Sequence, residues 1–156
     1  MSDDTQTSEL ADLVTPRSVV AQLRAPTKRQ VLQELARRAA LMTGIPDKRI
    51  YDALVERERL GTTGIGSGIA IPHCRLSELN RLYGFFARLE RPVPFEAIDD
   101  LPVDLVFLLL APADAGAEHL KALARVSRLL RDKAMCEKLR GANSADALYA
   151  LLAGGG

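Results

Sequence analysis

The chain contains no tryptophan, two cysteines and two histidines, and nowhere does it hold a run near the roughly 18 apolar residues that a membrane span needs. Each scarcity excludes something. Cys74 and Cys136 have neither metal-ligand spacing nor the density of a secreted, disulfide-stapled scaffold, so both read as free thiols and no metal site is expected. Charge of one sign is lacking as well: 21 lysines and arginines oppose 20 acids, and no basic stripe is interleaved with aromatics. That balance argues against a nucleic-acid protein or a polybasic membrane binder. The first residues lack the basic and apolar regions of a signal peptide. The expectation is a cytoplasmic protein without nucleic acid, membrane insertion or cofactor. At 156 residues one domain can bury roughly two-thirds of its unfolded surface.

What the chain does have is a glycine-dense stretch, Gly61-Thr62-Thr63-Gly64-Ile65-Gly66-Ser67-Gly68-Ile69-Ala70-Ile71-Pro72-His73. Ile65, Ile69 and Ile71 share one parity, whereas Gly66, Gly68 and Ala70 share the other. In a strand this gives one apolar face and one nearly bare face that must pack closely against something. Pro72 cannot donate to a ladder and is expected to end the strand, presenting His73 at its carboxyl end.

Around this stretch the spacing predicts alternating elements. Residues 1–9 are polar and read as a disordered tail, 10–153 as the domain, and 154–156 as a flexible end. A strand is expected over 18–23. A helix follows that opens on the capping-box pattern Thr27-Lys28-Arg29-Gln30 and stops before Gly44 and Pro46. Asp47 is expected to cap a second helix in which Ile50, Leu54 and Arg57 share a stripe, placing an arginine where a core residue belongs. Residues 74–81 read as a loop or helical turn, and 82–90 as a strand ended by Pro92 and Pro94. The unbroken run Leu105 to Leu110 reads as a central strand buried on both faces. A helix from about Glu118 carries His119, Leu123, Val126 and Leu130 on one buried stripe, and two shorter helices follow. The fold class expected is α/β: a single-domain mixed sheet flanked by helices on both faces.

Competing motifs fail on context. The glycines are followed neither by the Gly-Lys-Ser/Thr of a phosphate loop nor by a helix. A dinucleotide fingerprint would need the strand before the glycines. His73 and Cys74 are neighbours on opposite faces of a strand and cannot easily share a proton. There remains a histidine nucleophile in an anion-receptive pocket, with Arg57 and backbone N–H groups near it and His119 at a helix N-terminus.

Glu56-Arg57-Glu58, the glycine stretch through His73, and Pro112-Ala113-Asp114 followed by His119-Leu120 resemble the fructose/mannitol/nitrogen-type EIIA domains of the bacterial phosphotransferase system. The resemblance spans about Leu10 to Leu152. It implies that His73 is the phosphoryl acceptor (a tele-phosphohistidine), that His119 is the supporting histidine and that Arg57 stabilises the phosphoryl group. Gly64, Gly66, Ser67 and Gly68 are assigned as a phosphate-binding loop. The wording of that loop and the stand-alone length look most like the nitrogen-regulatory branch. This implies an NPr- or HPr-like phosphocarrier as donor and regulatory targets in potassium or nitrogen physiology; the alternative is a sugar-specific EIIA that passes phosphate to an EIIB. Family members often carry glycine after the histidine, where this chain has Cys74.

Overall fold

The computed structural model describes residues 10–154, so the tail expected over 1–9 and residues 155–156 of the end expected over 154–156 lie outside the described residues. A 3-10 turn, Pro16–Ser18, leads into β1 (Val19–Leu23), and then come α1 (Lys28–Thr43), α2 (Asp47–Arg59), β2 (Gly64–Gly66), β3 (Ile69–Ala70) and β4 (His73–Leu76). Next are β5 (Tyr83–Val93), β6 (Val103–Pro112), α3 (Ala117–Arg131), α4 (Lys133–Gly141) and α5 (Ala145–Leu152). One mixed sheet runs β1-β5-β6-β3-β2, with β4 paired to β6 beyond β3.

The strand β6 lies at the centre, antiparallel to β5 and parallel to both β3 and β4. Its side chains alternate between two cores. Val106, Leu108 and Leu110 face α1 and α2, where they meet Leu35, Ile50 and Leu54. Leu105, Phe107 and Leu109 face α3, α4 and α5, where they meet Val126, Leu139 and Leu148. Each such side chain, fully buried, contributes roughly 1.5–3 kcal/mol of transfer free energy. The expected class, a mixed sheet with helices on both faces, is the class observed.

Local signals explain most boundaries. Thr27 Oγ1 accepts from the Gln30 amide at 3.1 Å, and Gly44 closes α1 in the left-handed conformation at φ 80°. Asp47 is not the cap expected of it: Pro46 holds that position without a side-chain bond, and Asp47 is the first helical residue, where its charge still suits the dipole.

Two strand boundaries differ from expectation. β3 ends at Ala70, before Pro72 as expected, but the sheet resumes and His73 opens a new strand: the Pro72 carbonyl accepts from the Leu109 amide at 2.9 Å, and β4 starts at the next residue in register with Leu109 to Pro112. Residues 73–76 are thus a strand, not the loop expected from 74. Pro92 does not end β5 either. The β5–β6 register shifts between Arg88 and Val93, and pairing resumes with Val93 opposite Val103, so the proline sits in an irregularity where no ladder donor is required.

The parity of the isoleucines holds. Ile65, Ile69 and Ile71 all pack in the core under α3 to α5, whereas Ala70 faces the other one. The bare face is indeed closely approached: a Cβ on Gly64 would lie 3.0 Å from Ala97 Cα, and one on Gly66 3.2 Å from Asp99 Oδ2.

Candidate active site

Three elements bring the histidine pair together. β4 starts with His73; α3, which leaves the end of β6, carries His119 in its first turn; α2 carries Arg57 in its last turn. The His73 and His119 rings are 5.7 Å apart between centroids and meet edge-on at 68°. Both line an open cavity of about 600 Å³ with Arg57, Arg75, Arg49 and Cys74.

Hydrogen bonds fix the proton on each ring. His73 Nδ1 lies 2.8 Å from the Ile71 carbonyl oxygen, which can only accept, so Nδ1 carries the hydrogen. Nε2 of the same ring receives the Arg57 Nε–H at 3.1 Å, which confirms it as the atom with the lone pair. His119 is arranged oppositely. Arg75 Nε donates to His119 Nδ1 at 3.1 Å, so a neutral His119 carries its hydrogen on Nε2. That Nε2 is buried without a partner.

Both rings are held neutral. Burial pushes the His73 pKa below the ordinary histidine value, and the Arg57 charge adds to this against the Ile71 hydrogen bond, which raises it. For His119, burial, then His73, then the Arg75 charge bring the pKa down to about 4. A lone pair on His73 and an N–H on His119 therefore coexist at neutral pH.

Arg57 owes its place to the end of α2. Ile50 and Leu54 on its stripe are buried, and the guanidinium emerges beyond them, with Nη1 donating to the Gly61 carbonyl at 2.8 Å. Glu58 anchors the turn that follows: its carboxylate accepts from the Thr63 amide and hydroxyl and meets the Lys28 ammonium at 2.9 Å.

The glycines are placed differently from the expectation. Ser67 and Gly68 form the turn between β2 and β3, and Gly68 O accepts from the amides of Asp104 and Leu105 at the start of β6. His73 pairs with Leu109, four residues further along that strand and so roughly 13 Å away. The amides are also committed, that of Ser67 to Asp99 Oδ2 at 2.8 Å and that of Gly64 to Thr62 Oγ1 at 3.0 Å. The structure does not bring Gly64, Gly66, Ser67 or Gly68 into the histidine cavity, and an internal carboxylate already takes the Ser67 donor. The sequence reading missed Arg75. Its signal was the strand period: had residues 73–76 been recognised as a strand, His73 and Arg75 would have fallen on one face.

Cys74 faces the α1–α2 core, and burial pushes its thiol up to about 12, so it stays protonated beside the histidine. Cys136 is likewise a free, buried thiol. Among the described residues no cluster of three or more histidine, cysteine or acidic side chains could hold a metal ion, and no helix is long and apolar enough to cross a membrane.

The profile of the family described as phosphoenolpyruvate-dependent sugar phosphotransferase system, EIIA 2, matches residues 12–154. The chain belongs to this family. Within it, this EIIA is of the nitrogen-regulatory type. It is 52% identical over 144 residues to the nitrogen regulatory protein of Bradyrhizobium diazoefficiens, covering 92% of this chain and 94% of that one. The nitrogen regulatory protein IIA-Ntr from Neisseria meningitidis superposes with a TM-score of 0.88 at 31% identity, over 93% of this chain and 99% of that one. The IIA component in the complex of mannitol IIA with phosphorylated mannitol IIB from Escherichia coli shares the fold at 22% identity, TM-score 0.76, over 90% and 97% of the two chains. An EIIA of this family is a phosphotransfer component.

Proposed function

We propose that this EIIA accepts a phosphoryl group on Nε2 of His73 from an NPr- or HPr-like phosphocarrier and that its phosphorylation state controls which proteins it binds. The observation that supports this best is the complementary pair of rings: a lone pair on His73 Nε2 and an unpartnered N–H on His119 Nε2, both in one cavity. In the transfer, the His73 Nε2 lone pair attacks phosphorus. The bond from phosphorus to the donor's nitrogen breaks, and that nitrogen recovers its electron pair. His73 keeps its Nδ1 proton on the Ile71 carbonyl, so the phosphorylated ring is an imidazolium bearing the phosphoryl dianion.

Arg57 has to release Nε2 for this to happen. Its guanidinium then lies beside the three phosphoryl oxygens, and the His119 N–H gains the acceptor it lacks. Fixed donors that meet charge spreading over equatorial oxygens are the main resource of phosphoryl transfer, for which no metal ligands are needed here. Regulation follows from the added charge, up to two negative units on a surface of nearly balanced sign. Coupling of this kind shifts partner affinity by about 1–3 kcal/mol.

The nitrogen-regulatory type of the relatives favours regulatory targets in potassium or nitrogen physiology over an EIIB acceptor. The test is to incubate the protein with phosphoenolpyruvate, enzyme I and the carrier, and to map the label. Label on Nε2 of His73, lost in His73→Ala, is the expected result; label that persists in that variant sinks the assignment. Rapid onward transfer to a sugar-specific EIIB, with identical partner sets for both phosphorylation states, would favour the sugar relay.

A further inference from the structure

Arg75 is an unusual neighbour for a histidine. It lies exposed on β4 two residues after His73, lines the same cavity, and makes no ion pair among the described residues. One of its five N–H donors goes to His119 Nδ1 at 3.1 Å. On the far side of the same ring, Nε2 is buried and unpartnered.

This arrangement is costly in the resting protein. A buried donor without an acceptor loses its hydration for nothing, so His119 alone would gain by turning its ring or by moving its proton to Nδ1, where it could find a partner. The guanidinium closes both routes. A proton on Nδ1 would face the N–H of Arg75, two donors head to head, and a turned ring would lose its hydrogen bond from Arg75. The hydrogen bond made by one imidazole nitrogen decides where the other points its proton.

Resting on the phosphoryl reading of the site, we propose that Arg75 is the positioning residue for the second histidine: it holds His119 Nδ1 as an acceptor and so keeps an N–H on Nε2 ready for a phosphoryl oxygen on His73. Its charge also works against a second proton on the ring, which fits the depressed His119 pKa of about 4. The donor is therefore organised before phosphate arrives and needs no rearrangement during transfer. Arg57 and Arg75 thus have different tasks although both bind imidazole nitrogens. The first covers the nucleophilic lone pair and must move, whereas the second stays.

The test uses the full-length chain, unphosphorylated and labelled with nitrogen-15, at neutral pH. Wild type should show His119 as a single tautomer with the proton on Nε2. Arg75→Ala should give a mixture of tautomers, and Arg75→Lys, which restores a donor that cannot accept, should recover the wild-type pattern at least in part. Phosphorylation is followed in parallel with phosphoramidate, a small donor whose P–N bond breaks as the Nε2–P bond forms and ammonia leaves with its three protons. Arg75→Ala should load His73 roughly 10–100-fold more slowly, the range for a partner that orients a working histidine from behind, with partial rescue in Arg75→Lys.

An unchanged His119 tautomer in Arg75→Ala would overturn the proposal, as would an unchanged rate with phosphoramidate. Slowing with the protein carrier alone would overturn it too, because Arg75 would then be a docking contact. If wild type itself takes no phosphate on His73, the phosphoryl reading falls, and with it Arg75's part in transfer; the tautomer measurement would still report whether the hydrogen bond sets the ring.

Discussion

Arg57 Nε lies 3.1 Å from His73 Nε2, so the nitrogen with the available lone pair is the one that an arginine covers at rest. The contact has two consequences. It pins the ring from the side opposite Ile71, and it must break before phosphorus can bond. Arg57 therefore serves the phosphorylated state only if its planar fork can swing from one nitrogen to several oxygens.

Arg57→Lys is the first prediction. Lysine keeps the charge but offers a single point of donation in place of a fork. We expect transfer to His73 to slow by about 10²-fold, as for loss of one preorganised donor, with little loss of thermal stability. Stopped-flow or quench kinetics with the carrier, set beside a melting curve, separates the two effects. A full transfer rate with a large fall in melting temperature would make Arg57 a structural residue.

The pH dependence of stability follows from His119. Its folded pKa of about 4 lies below the ordinary value of 6.5, so between these the unfolded chain binds more protons than the folded one. The contribution is complete above pH 6.5 and is lost as pH falls toward 4, and His73 acts in the same direction. For His119 the loss amounts to roughly 1–3 kcal/mol. Urea titrations of wild type and His119→Gln at pH 7.5 and 4.5 should show a smaller drop in the variant. Equal drops would remove His119 as the cause.

Gly68→Ala tests whether the glycine hairpin is there for folding or for phosphate. Gly68 has φ +83°, and an added Cβ would lie 2.7 Å from Arg140 Nη2 and 3.0 Å from Asp104 Oδ1. We expect a stability loss of roughly 1–3 kcal/mol and no change in the rate at which His73 is loaded. A variant of normal stability with a strongly reduced rate would return the hairpin to the site.

Arg88→Met is expected to be costly without touching the chemistry. Arg88 is half-buried and donates through Nη1 to the carbonyls of Leu139 and Ala142 at 2.8 and 2.7 Å, and through Nε to Ala21 at 3.0 Å. It satisfies the end of α4 and ties that helix to β1. Removing it should cost about 2–4 kcal/mol, since buried carbonyls lose a charged donor. Chemical denaturation would register the loss, and His73 labelling at a temperature where the variant is folded should be unchanged.

Much of this architecture was legible in the residues. The unbroken Leu105–Leu110 run identified the central strand because paired strands on both edges, antiparallel β5 and parallel β3 and β4, and helices on both faces leave no place for a polar residue. The isoleucine parity of 65, 69 and 71 identified one shared apolar face, which the structure turns toward α3 to α5, and the Ile50-Leu54-Arg57 stripe put the arginine where a core residue belongs. The motif around His73 pointed to the family through its resemblance. All these signals are local, carried by periods of 2 and 3.6 residues and by the glycine and proline chemistry of the backbone.

What only the tertiary structure decided depends on partners distant in sequence. The sheet resumes after Pro72 because Leu109 supplies the amide that the proline carbonyl accepts, and no pattern within residues 72–76 encodes that donor. The Ser67 amide in the glycine turn is unavailable to a phosphoryl group because Asp99, from another loop, already occupies that donor. The two histidines carry opposite tautomers because one nitrogen faces a carbonyl and another faces Arg75. A sequence fixes which side chains can donate or accept; which hydrogen bond each one makes is set by the atoms that folding brings within about 3 Å.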